Sequence, residues 1–116
     1  MYKRQDWGTG TIWQISFTGD KPNAHVAVAT GLMKPEGVAL DQDGTLLVVE
    51  TGASRLSRVN LTTGEVNAVA EGLKLGATAL EGFPPTWGLD GVVVGKSGNI
   101  YVSGYGNNII YSISKK

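Results

Sequence analysis

Residues 35–60 read PEGVALDQDGTLLVVETGASRLSRVN, and residues 89–114 read LDGVVVGKSGNIYVSGYGNNIIYSIS, an ungapped second copy displaced by 54 positions. Gly37 falls on Gly91, Val38 on Val92, Gly44 on Gly98, Val48 on Val102 and Gly52 on Gly106. Recurring glycines inside recurring apolar alternation mark one supersecondary unit used twice. Each copy reads as three short strands, at 37–40, 46–49 and 56–61 in the first and at 91–94, 100–103 and 109–113 in the second. Between the first two strands lie Asp41-Gln42-Asp43-Gly44 and Gly95-Lys96-Ser97-Gly98, small polar residues and glycine of the kind a tight antiparallel turn requires.

Outward from this core the pattern continues. Residues 6–16, DWGTGTIWQIS, align with residues 104–114, so the chain opens part-way through a third copy, at the end of its second strand. Trp13, Ile15 and Phe17 alternate with Gln14 and Ser16. After a turn at 18–23, residues 26–32 (VAVATGL) match residues 67–73 (NAVAEGL) and supply a fourth strand. Labelled a to d, the strands run c, d, then a, b, c, d, then a, b, c. This divides the chain into 1–34 (strands c and d), 35–73 (a full four-stranded unit), 74–88 (an inserted loop without alternation) and 89–116 (strands a to c). Helix is expected at most within 75–80.

The chain has 116 residues, 41% of them hydrophobic, and 17 glycines, which suits a single all-β domain. Lys plus Arg and Asp plus Glu are ten each, so no basic field attracts nucleic acid or a membrane surface. The absence of cysteine removes disulfides, thiol nucleophiles and Cys-type zinc sites. The opening residues contain no apolar run of signal-peptide length, so no secretion signal is expected and the cytoplasm is the default compartment. No segment approaches a membrane span.

Four-stranded antiparallel units of about 40–50 residues have the form of β-propeller blades, with strand a lining a central channel and strand d outermost. The run PEGVALDQDGTLLVVETG with the following SRLSRV resembles the blade repeat of six-bladed propellers of the senescence-marker-protein and gluconolactonase group and of the strictosidine-synthase-like proteins. Glu50-Thr51 with Arg55 and Arg58 looks most like the latter branch, PPTWGLDG at 84–91 suits either, and NHL-repeat blades share much of the pattern. In the metal-dependent lactonases of that group, a carboxylate or amide just before the glycine that opens strand a holds a divalent cation. The matching positions are Glu36 and Asp90, and the resemblance implies Ca²⁺ or another hard divalent cation there. The other reading makes both residues solvated carboxylates at a strand start.

Trp7 and Tyr105 precede a glycine at equivalent b–c corners, and with Phe83 and Trp87 of the inserted loop they are candidates for an aromatic wall around one channel mouth. Packing between neighbouring units is the alternative. Asp41 and Asp43 read as turn residues, Glu50 as a structural partner of Arg55 or Arg58, and His25 as a surface residue of an outer strand. Trp13, Val59, Tyr111 and Ile113 are assigned to the core.

Propellers close with about four to eight blades, and two units and a fraction leave apolar faces at both ends. The expectation is a homo-oligomeric ring, a trimer first and a dimer second, joining residues 11–17 and 26–30 of one copy to 100–113 of the next. Trp13, Ile15, Tyr111 and Ile113 are expected to be buried across that joint. Two function classes follow: an assembly and binding module with a small molecule or cation at the channel mouth, or a metal-dependent hydrolase of the lactonase type working through Glu36 or Asp90.

Overall fold

The computed structural model describes residues 2–75, 90–104 and 108–114. Its ten strands form three small antiparallel sheets. The first sheet contains β1 (Tyr2–Asp6), β2 (Thr11–Thr18) and β3 (Lys21–Ala29) in that spatial order. The central sheet orders β4 (Pro35–Leu40), β5 (Leu46–Glu50), β6 (Arg55–Val59) and β7 (Val66–Ala70), the four-stranded unit read from the sequence. The last sheet contains β8 (Val92–Val94), β9 (Ile100–Gly104) and β10 (Ile109–Ile113), with β9 in the middle. A single 3-10 turn, Thr51–Ala53, bridges β5 and β6, and the described residues contain no α-helix.

The repetition in sequence returns as repetition in hydrogen bonding. In the first hairpin Asp41 N–H donates to Thr45 O and Gly44 N–H to Asp41 O; in the second Gly95 N–H donates to Asn99 O and Gly98 N–H to Gly95 O. Gly44 and Gly98 both sit at positive φ, 84° and 88°, a conformation that a side chain disfavours. The b–c corner is left-handed in all three sheets, at Gly10, Ser54 and Asn108. Gly10 O accepts the Leu32 N–H and Ser54 O accepts the Leu73 N–H, so the segment after each strand d returns to the same corner.

Alternation along each strand packs the sheets face to face. One face of the central sheet, with Leu46, Val48 and Val59, buries Ile12, Ala29 and Leu32. The opposite face, with Leu47, Val49 and Leu56, packs on Ile100 and Val102 and on the half-buried Val92, Val94, Tyr111 and Ile113. β5 is therefore buried at all five positions.

The structure departs from the sequence reading in four places. Tyr2–Asp6 forms a complete strand paired to β2, from Tyr2 opposite Ile15 to Asp6 opposite Thr11, where only the tail of a strand was expected. Its sequence, YKRQD, has no apolar alternation; pairing with β2 makes it a strand. β3 begins at Lys21 rather than 26, and Pro22 is tolerated because β3 is an edge strand. Tyr111 and Ile113 point at the central sheet of their own chain, so they cannot bridge an outer joint. Trp13 lies on the first sheet's outer face, with its ring edge-on to His25 at 5.2 Å, and is absent from the core. Most of the inserted loop lies outside the described residues, as do residues 76–80 of the segment where helix was allowed for.

Candidate functional site

The edge strands β1, β4 and β8 run beside one another, with β4 touching both neighbours. The approach is close enough that a Cβ on Gly37 would stand 2.7 Å from Asp90 O and 3.0 Å from the Gly91 Cα, so residue 37 has no room for a side chain. This line brings Glu36 and Asp90 together. Asp90 N–H donates to Glu36 Oε2 at 3.2 Å, and the Gln5 side-chain amide of β1 donates to the Glu36 carbonyl. Asp90 is buried and Glu36 half-buried.

Burial is the main cause that pushes the Glu36 carboxyl above its ordinary range, and the negative charge of Asp90 adds to it. The Asp90 N–H, the Thr51 hydroxyl and the Lys34 charge oppose that rise without cancelling it. Glu36 is thus linked to Asp90 through the Asp90 main chain, in a half-buried setting that disfavours its charged form. The described residues contain no cluster of three or more His, Cys, Asp or Glu side chains placed to hold a metal ion.

The other acidic candidates are structural. Glu50 is wholly buried; its carboxylate accepts from Arg55 Nε at 2.6 Å, from the Ser57 hydroxyl and from Met33 N–H at 2.9 Å. Burial alone would raise the Glu50 carboxyl, but the Arg55 and Ser57 bonds and the Met33 N–H together hold it below the usual carboxylate value. Asp41 and Asp43 both reach Arg58 Nη1, at 2.7 and 3.0 Å, and Asp43 also caps its own turn through Thr45. The turn role is the one read from the sequence; the ion pairs to Arg58, which the sequence reading offered as a partner of Glu50, are an addition.

Of the aromatic wall, Trp7 is described and partly exposed, whereas Phe83, Trp87 and Tyr105 lie outside the described residues. Trp7 borders a cleft shared with Leu32, Met33 and Lys34, and Lys34 Nζ stands 5.2 Å from its ring centroid. Sequence reasoning passed over Lys34. The available signal was its equivalence to Gly88, a lysine where the other copy has glycine. His25 lies on the outer strand β3, where it lines a groove with Trp13 and Ile15.

Comparison with protein-family models gives no match, and no curated protein is significantly similar to the chain.

Proposed function

We propose that the chain is a β-propeller segment acting as an assembly and binding module. Its end sheets pack on a second copy to close a ring, and the end carrying Glu36, Asp90 and Trp7 forms a channel mouth for a divalent cation or a small molecule. One observation carries the assembly: residues at the same position of the repeat differ sharply in exposure. Leu56 is 0% exposed where the last sheet covers it, while its counterpart Ile110 is 72% exposed; Leu47 is 0% exposed and its counterpart Tyr101 37%. Val93, Tyr101 and Ile110 thus make an apolar face of the kind that the central sheet covers with its neighbour.

The complementary face belongs to the first sheet. Trp13 and Ile15 line an open groove of about 660 Å³ with Arg4 and His25. Ile15 holds the place of Val59, which is buried in the core. Covering each large apolar side chain contributes about 1.5–3 kcal/mol before association costs of about 4–15 kcal/mol, so several must be covered together at each joint.

The strand β1 changes the favoured count. Each chain brings three sheets, so two copies supply the six that the blade resemblance implies, whereas three copies would bring nine unless the end sheets merge. A head-to-tail dimer is therefore preferred over the trimer. Light scattering on the intact chain is expected to give a dimer that Ile110→Asp dissociates or aggregates. A folded monodisperse monomer would refute the assembly, and a trimer would restore merged end sheets. For the mouth, millimolar Ca²⁺ is expected to raise the melting temperature, and Glu36→Ala with Asp90→Ala to remove that rise.

A further inference from the structure

At the corner between the first and central sheets, Trp7 and Lys34 border a cleft of about 450 Å³ that Leu32 and Met33 also line. The ammonium group of Lys34 stands over the indole at 5.2 Å, a cation–π arrangement, and Trp7 remains 37% exposed. None of the ion pairs among the described residues uses Lys34.

The backbone makes this lysine notable. Lys34 has a φ of 51°, in the left-handed region that a side chain disfavours and glycine enters freely. The other copy of the repeat carries Gly88 there. The surrounding bonds impose the conformation: the Thr51 N–H and hydroxyl donate to Lys34 O at 3.2 and 3.0 Å, Gly52 N–H donates to Met33 O at 3.1 Å, and Met33 N–H is held by buried Glu50. Glycine would satisfy every one of those main-chain contacts with less strain. What lysine adds is an ammonium group placed beside an open indole. Strain held by well-determined surroundings clusters where a side chain has a task.

We propose that Trp7 and Lys34 form a binding site for a small planar carboxylate. The ligand plane lies against the indole, its carboxylate pairs with the Lys34 ammonium, and the Met33 side chain closes the apolar side. This inference rests on the reading of this end of the sheets as a ligand-binding mouth and names the ligand class. It does not depend on ring closure, because every residue belongs to one chain.

The test uses trans-cinnamate as probe, with cinnamamide as its neutral counterpart, followed through the indole N–H resonances of the 116-residue chain; Trp7→Phe assigns the Trp7 signal. Cinnamate is expected to shift that signal saturably, and cinnamamide to bind about tenfold or more weakly. Lys34→Gly relieves the backbone and is expected to melt at or above the temperature of the unmutated chain while losing about tenfold or more in cinnamate affinity. A residue kept for stability would show the reverse. Absence of a saturable shift, equal affinity for the two probes, or unchanged cinnamate affinity in Lys34→Gly overturns the site. If cinnamate fails while the Ca²⁺-dependent melting shift persists, the carboxylate site falls and the cation mouth stands; cinnamate binding without a Ca²⁺ shift supports the carboxylate site and removes the cation.

Discussion

The central and last sheets meet the same structural demand in different ways. After each strand d the chain crosses to the next sheet, and a main-chain N–H one residue past the buried leucine needs an acceptor: Met33 past Leu32, Lys74 past Leu73. In the central sheet a carboxylate answers, with Glu50 accepting from Met33 at 2.9 Å while Arg55 and Ser57 hold it. In the last sheet the residue at the place of Glu50 is Gly104, and Tyr111, at the place of Ser57, accepts from Lys74 N–H through its phenol oxygen at 2.9 Å. The aromatic ring needs the glycine: a Cβ on Gly104 would stand 2.9 Å from Tyr111 Cε2 and 2.9 Å from Lys74 O. The repeat therefore conserves an acceptor at a place in space, while the residue and chain position that supply it change. One solution is ionic and responds to acid; the other is neutral.

The largest effect is expected at the ionic corner. Glu50→Ala strands the Ser57 hydroxyl, the Met33 N–H and the Arg55 guanidinium, and should lower unfolding free energy by about 2–4 kcal/mol in denaturant titrations. The same carboxyl makes stability depend on pH. Its folded-state pKa is depressed below the reference of 4.5, so its contribution is complete above the unfolded value and is lost as pH falls through the folded one. Acid unfolding curves of Glu50→Gln should show a shallower fall over that window, and an unchanged slope would assign the acid sensitivity elsewhere.

Next comes the neutral corner. Gly104→Ala forces the Tyr111 ring and the Lys74 carbonyl apart and should cost about 1–3 kcal/mol. Ala at this position leaving stability unchanged would mean that the ring yields freely. Tyr111→Phe keeps the ring and removes only the acceptor, an expected loss of about 0.5–1.5 kcal/mol with no added pH dependence in the carboxylate range. The smallest effect sharpens the contrast from the opposite sign. Glu36 has a raised pKa, so the folded state favours its protonated form, and that relative advantage is lost as pH rises through the unfolded and then the folded value. Glu36→Gln should therefore be slightly more stable than the unmutated chain above that range, in the absence of added cation, and indistinguishable well below it.

How far the sequence carried the reading depends on where each residue's role is decided. The hairpins were legible because Gly44 and Gly98 answer a local demand, a positive φ inside a tight turn, and because the valines and leucines alternate with the pleat. The pairing of Glu50 with Arg55 was legible as one of two options, since both flank a single corner. β1 was hidden because YKRQD becomes a strand only through its register with β2. Alternation separates the faces of a strand and cannot say which neighbour each face meets, so Tyr111 and Ile113 were assigned to an outer joint and in fact face inward. The meeting of Glu36 and Asp90 was within reach, because equivalent positions of adjacent units face one another. The elevation of the Glu36 pKa was not, since it depends on a burial that no local pattern encodes.

The enclosure of β5 has a dynamic consequence. Both of its edges are hydrogen-bonded, to β4 and β6, and both faces are covered by neighbouring sheets. Its amide protons can meet solvent only when the stack comes apart, so deuterium should enter β5 at the rate of global opening. β3, an edge strand exposed along most of its length, should exchange through fraying that leaves the centre intact. Exchange is thus expected to separate a slow interior at β5 from a faster outer edge at β3.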